Sequence, residues 1–413
     1  VRQLPLVEGR AVGGPIARGL LASYFAVALG GLLAAAVALV FAAPDLAAGG
    51  LLAPRVVLVT HLVALGFLPF AVTAASFHLL PVLLRNDAAH PRLLVAALPL
   101  LCGGFLVAPG VAYDRDTLAW IGAALVAAGL ACVLEELLGL VVRAPRNRTL
   151  VASRVGIALV ALHVTAALVL GGVMVDRGVG RWPLVHLHLA IVGWLALLIV
   201  SVGRTLGPML ALAPTEPTRR VPVLELVLTA GLWLLLAGLA GGWRWLSAVG
   251  GAVALLSLAW FGRTMLRVAR ERRLPVEAPL AHLLAGVLFL AQAAVLGFLL
   301  LAGSVALWRG LAAYVVLLLV GWGAGVTLGH LGKLLSLSLW VWWPPGPRPK
   351  QEHLYPRLLG LGSAAAFSVG VELVAVGSLA QSSAVVRAGA VLTVLGALVA
   401  VAGAGVTWSR RPR

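Results

Sequence analysis

THLVALGFLPFAVTAASFHLLP, from Thr60 to Pro81, and LHLAIVGWLALLIVSVGRTLGP, from Leu187 to Pro208, are two copies of one template. In each, a histidine (His61, His188) is followed by glycine at +5 (Gly66, Gly193), an aromatic at +6 (Phe67, Trp194) and proline at +20 (Pro81, Pro208). A third stretch, VVLLLVGWGAGVTLGHLGKLLS from Val315 to Ser336, keeps the pair Gly321-Trp322 but has Val316 for the histidine and Ser336 for the proline. The glycines are 127 and 128 residues apart, from Gly66 to Gly193 and from Gly193 to Gly321. Fixed offsets at a long period mark a structural repeat. Each stretch is apolar for more than twenty residues, enough to cross a hydrocarbon core of roughly 30 Å as a helix.

Working outward, the whole chain has this character. Of its 413 residues 62% are hydrophobic and 11% charged, with mean hydropathy +1.05. So few charges cannot cover a water-soluble surface. Twelve spans are expected near 18–43, 54–84, 92–112, 117–142, 150–175, 184–212, 221–241, 245–269, 278–303, 309–343, 354–380 and 383–408, as one integral membrane domain over 1–413. The first run, from Gly19 to Ala43, is too long for a cleavable signal peptide, which is therefore not expected. The repeat period covers four spans. The expected fold is thus all-α, a polytopic bundle of about twelve transmembrane helices in three pseudo-symmetric four-helix arcs.

The net charge of +17 does not point to nucleic acid, because the basic residues sit in short loops between apolar runs. They orient the chain instead. One set of loops holds Arg85, Arg92, Arg143, Arg146, Arg148, Arg154, Arg219, Arg220, Arg267, Arg270, Arg272, Arg273, Arg348, Lys350 and Arg357. The opposite set holds few charges, among them Asp45, Arg55, Asp114, Arg177, Arg244 and Arg309. The basic set is expected in the cytoplasm, with both termini, in a bacterial or archaeal cytoplasmic membrane. Cys102 and Cys132 fall inside apolar runs and are expected as buried free thiols.

Seven of the nine histidines lie within spans. Neutral imidazole ligates haem iron and copper, and ionisable groups inside a membrane are functional candidates. His61, His186 and His188 sit at a similar depth, towards the outer leaflet, and His163 nearer mid-membrane. Positions two apart on a helix face nearly opposite sides, so His186 and His188 can serve two different neighbours. His78 and His330 lie 17 and 14 residues past the template position, roughly 20–25 Å deeper, and are candidates for a separate inner metal pair with His282 near them.

The segment VHLHLAIVGW, Val185 to Trp194, with its proline at Pro208, resembles the histidine-bearing helices of haem-copper oxidase subunit I, especially the cbb-type oxidases and their shorter relatives. The NnrS haem- and copper-binding membrane proteins are a more distant likeness. The resemblance implies haem b ligated by His61 and a copper ligand at His188 or His186. It also implies partner subunits and a cytochrome c or cupredoxin as electron donor. Two departures stand out. Span 7, VPVLELVLTAGLWLLLAGL, lacks the family's paired histidines, and the outer part of span 10, AAYVVLLLVGW, lacks its His-x-His. The three-histidine copper site is incomplete, so reduction of oxygen to water is not expected. A haem held by His61 and by His188 or His186, in electron transfer or in handling oxygen or nitric oxide, is what remains.

Glu372, mid-way along span 11, is the candidate for a proton path. Glu135, Glu136, Glu225, Arg204 and Lys333 read as ion pairs or as side chains reaching the inner headgroups. The competing readings are a twelve-helix secondary transporter and a cofactor-free homologue acting in oxidase assembly or metal delivery. Against the transporter stands the four-helix period, where two six-helix halves are the common pattern.

Overall fold

The computed structural model describes residues 17–84, 86, 90–144, 151–213, 222–273, 277–344, 346–347 and 349–411. Of the basic loop residues, Arg85, Arg146, Arg148, Arg219, Arg220 and Arg348 lie outside this set. Among the described residues, twelve helices are long and apolar enough to cross a membrane. They are Arg18–Phe41, Pro54–Pro81, Pro91–Ala112, Asp116–Arg143, Val151–Arg177, Pro183–Pro208, Val223–Gly241, Arg244–Glu271, Ala278–Ala302, Leu307–Val341, Arg357–Leu379 and Ser383–Ser409, here spans 1 to 12. No strand occurs among the described residues. The chain is an all-α polytopic membrane bundle.

Local chemistry sets several helix ends. Pro54, Pro91 and Pro183 open spans 2, 3 and 6, where a missing N–H costs nothing. Gly242 and Gly303 close spans 7 and 9 with φ of 73° and 76°, a conformation that favours glycine. Two polar clamps define one face: Arg18 donates to the Trp342 carbonyl (3.0 Å), and Arg410 to those of His353 (2.5 Å) and Leu354 (3.0 Å). Both described ends of the chain lie there, and we call it the terminal face.

The packing repeats three times. Spans 3 and 4, 7 and 8, and 11 and 12 form close antiparallel hairpins. Spans 2, 6 and 10 form the centre and touch one another. Spans 1, 5 and 9 each join a central helix to the preceding hairpin: span 1 to spans 2 and 12, span 5 to 6 and 4, span 9 to 10 and 8. Span 10 is the innermost, with 89% of its apolar window buried against 22–61% for the others.

Glycines make the hairpins possible. Between lipid-soluble helices there is little hydrophobic drive to associate, so close backbone approach supplies the attraction. A Cβ on Gly103, Gly231 or Gly370 would sit 2.7, 2.9 or 2.7 Å from the carbonyl oxygen of Gly122, Gly250 or Gly389 in the partner helix. These are corresponding positions, 128 and then 139 residues apart on both sides of each hairpin. Gly110, Gly238 and Gly377 follow seven residues later, two helical turns along the same seam. We therefore expect Gly370→Ala, whose Cβ would also meet Thr393 N at 2.5 Å, to destabilise the protein by about 1–3 kcal/mol. Gly19→Ala, with nothing within 4 Å, is the neutral control. Thermal unfolding followed by circular dichroism in detergent separates the two.

Each central helix is interrupted once by a π-helical segment: Leu62–Phe67, Ile191–Ala196 and Val316–Ala324. The N–H groups of Leu68, Leu197 and Gly325 reach back five residues, to Val63, Val192 and Val320. The template glycines Gly66, Gly193 and Gly321 lie inside these segments. Side chains crowd against each: Phe105 on Gly66, His163 on Gly193 and Phe289 on Gly321, at 3.0, 2.8 and 2.7 Å from where a Cβ would be. The repeat in the sequence is thus a repeated π-helical turn, a feature frequent at functional sites.

Candidate functional site

The template histidines stand at the start of those turns. In His61 the ring Nδ1 bonds to the Val57 carbonyl at 2.9 Å, and in His188 to that of Leu184 at 2.7 Å. A carbonyl only accepts, so Nδ1 carries the proton and Nε2 the lone pair, the form in which imidazole binds a metal. His330 makes the same bond to Val326, at 2.8 Å.

From here the two template histidines diverge. The Nε2 of His188 accepts from the Tyr314 hydroxyl of span 10 at 2.6 Å, with the rings 5.8 Å apart. His61 Nε2 has no such partner among the described residues. His186, two residues before His188, looks the other way, towards span 5. Its Cε1 would lie 3.2 Å from a Cβ on Gly171, so the glycine makes room for the ring. Its Nδ1 is buried without a hydrogen bond of good geometry, although the Ala167 backbone is near, and His61 lies within electrostatic range. Of the alternatives, His188 is the one engaged by Tyr314 and His186 the one within electrostatic range of His61. Tyr314 escaped notice in the sequence, although it stands seven residues before Gly321 as His186 stands seven before Gly193.

The other histidines are scattered. His163 is fully buried, its ring 5.8 Å from Trp233 and neither nitrogen in a hydrogen bond of good geometry, although the Leu159 and Gly193 backbone is near. His78 Nε2 bonds to Ser338 Oγ at 3.2 Å, with Trp342 edge-on at 6.1 Å. Ser338 is eight residues beyond His330, about 12 Å along the helix. His78 thus meets Ser338 rather than His330. His282 bonds to Ser363. Among the described residues no three His, Cys, Asp or Glu side chains gather as a metal cluster. Cys102 and Cys132 are free and half-buried, packed against the apolar core.

Towards the terminal face the central helices share another register. His78, Arg204 and Lys333 lie 12, 11 and 12 residues past their template glycines. Arg204 Nη1 contacts both carboxylate oxygens of Glu225 at 3.2 and 3.3 Å. Lys333 pairs with Glu277, whose second oxygen accepts from Ser336 Oγ at 3.4 Å. Glu136 accepts from the His90 backbone N–H at 2.7 Å, 4.0 Å from Arg143. Glu135 is exposed and Glu372 half-buried. Arg204 and Lys333 are therefore ion-paired inside the bundle. Glu277 was not anticipated; it lies just outside span 9, where a lone carboxylate beside a proline carries no signal.

Fold and site together define a class: a polytopic, threefold-repeated helical membrane protein with histidines on each of its central helices. Compared with known protein families and with characterised proteins, the chain matches none.

Proposed function

We propose that this chain is a b-type haem protein of an energy-transducing membrane, related to haem-copper oxidase subunit I, in which His61 and His186 would hold the haem. The observation that carries the reading is that His61 and His186, on two central helices, lie within electrostatic range of each other. One has its Nδ1 tied to Val57 and Nε2 unengaged; the other has a buried Nδ1 with no hydrogen bond of good geometry, the Ala167 backbone being near. Haem would supply one-electron chemistry. Held by two neutral imidazoles, haem would suit electron transfer; held by one, it would be open to oxygen or nitric oxide. The chain's own part is to orient. Val57 fixes the His61 ring, and Gly171 seats that of His186. His188, engaged by Tyr314, is held out of the donor set. Copper is the alternative occupant of the same two nitrogens, since imidazole suits both metals. A cytochrome c or cupredoxin donor, partner subunits, the bacterial or archaeal inner membrane and cytoplasmic termini belong to the same proposal.

The test is the absorbance of detergent-purified protein, oxidised and dithionite-reduced, with a pyridine haemochrome assay and metal analysis. The expected result is sharp reduced α and Soret bands and about one haem per chain. A colourless, metal-free preparation from cells supplied with haem overturns the reading in favour of transport or assembly.

A further inference from the structure

The basic residues that lie deep in the bundle have carboxylates beside them: Arg204 has Glu225 and Lys333 has Glu277. A different group of cations stands on the terminal face. Lys350 and Arg357 flank the turn between spans 10 and 11, Arg410 and Arg411 follow span 12, and all four are exposed. Among the described residues no carboxylate forms a salt bridge with any of them. Glu352, close to Lys350 in sequence, has His353 as its partner at 3.8 Å.

The fold gathers these four. Arg410 Nη1 donates to the carbonyls of both His353 and Leu354, which ties the end of span 12 to the turn before span 11. Lys350 is three residues before His353 and Arg357 three after Leu354, so the backbone of each lies within about 11 Å of those anchors. The two bonds occupy one nitrogen of the Arg410 fork and leave donors on Nη2 and Nε. Arg411 is steadied by Trp408, its Cζ 5.2 Å from the ring centre. Like charges this close repel one another, and an anion bound among them removes the repulsion.

The surroundings say which anion. Trp342, Trp343 and Trp408 lie at the ends of spans 10 and 12, the level at which indole rings meet headgroups. Next to Arg357, Leu358 is 85% exposed, and Leu361, one turn further along span 11, is 41% exposed. An open apolar strip thus begins at the cluster and runs into the membrane.

We propose that Lys350, Arg357, Arg410 and Arg411 bind the headgroup phosphate of an anionic phospholipid of the phosphatidylglycerol kind, with an acyl chain along Leu358 and Leu361. Inorganic phosphate would meet the cations but leave the leucines uncovered. Phosphatidylcholine would bring its own ammonium group against the guanidinium groups. Basic clusters at the ends of membrane spans favour anionic lipid by about fivefold for each Lys or Arg. The site is at the opposite end of the bundle from His61 and does not depend on the haem.

Native mass spectrometry of the full chain in a neutral detergent, titrated with dioleoylphosphatidylglycerol, tests the proposal, with dioleoylphosphatidylcholine as the comparison. The anionic lipid should bind saturably and the zwitterionic one at least about tenfold more weakly. Arg357→Gln with Arg411→Gln, which spares the Arg410 clamp, should weaken the anionic lipid by about 25-fold. Arg270→Gln with Arg273→Gln, an equal loss of charge on the same face beyond span 8, should change it less than about twofold. Inorganic phosphate at millimolar concentration should not displace the lipid. Equal binding of the two lipids, an equal loss in both double variants, or displacement by phosphate would each overturn the proposal. Should the Arg357 and Arg411 variant fail to fold, the ratio of the two lipids in the unmodified protein decides alone.

Discussion

His61→Ala is expected to lower the haem content of the purified protein by at least about tenfold, since removing even an outer-shell partner of a metal ligand costs ten- to hundredfold in affinity. His186→Ala should do the same, and His188→Ala should leave the haem in place. The contrast follows from geometry. Positions 186 and 188 point into different helix interfaces: the His186 ring lies against Gly171 and within electrostatic range of His61, while Tyr314 engages His188. The measurement is the reduced-minus-oxidised spectrum at equal protein concentration. If His188→Ala strips the haem and His186→Ala does not, the ligand faces span 10 and Tyr314 must swing aside to admit it. If none of the three loses haem, the histidine pair is not the site.

Glu225→Ala should cost about 3–5 kcal/mol, the usual consequence of leaving half of a buried ion pair. The Glu225 side chain is 0% exposed and that of Arg204 14%, so the guanidinium loses its partner where water hardly reaches. The double variant Arg204→Met with Glu225→Leu should regain most of that loss, because an apolar pair of similar volume avoids both desolvation penalties. Denaturant unfolding in micelles measures both. A harmless Glu225→Ala would mean that Arg204 is hydrated from the terminal face, and would revive a polar pathway there. The same logic applies to Lys333 with Glu277 in the third arc.

The repeat was legible because its residues are rare in apolar sequence. A histidine, a glycine beside an aromatic and a proline at fixed offsets stand out among leucines and alanines. The hairpin seams were equally present in the chain, as Gly103, Gly231 and Gly370 with their partners Gly122, Gly250 and Gly389. They were not legible, because the chain has 48 glycines and nothing along one helix says which of them faces another helix. Glu372 illustrates the opposite limit. Its charge made it conspicuous, yet the structure gives it only a half-buried place on span 11.

The sequence by itself determined that this is a membrane bundle of twelve helices with a four-helix period, since hydropathy and length alone decide whether a segment can cross a bilayer. It also determined which histidines share a depth, because helical rise is constant. Only the tertiary structure decided which of them meet. Whether His61 faces His186 or His188, and whether His78 reaches His330 or Ser338, depends on how each helix is rotated about its axis. A π-helical turn inserts a residue and changes that rotation by about 100°, and no count of offsets along one chain segment reveals what the neighbouring helix has brought to the same interface.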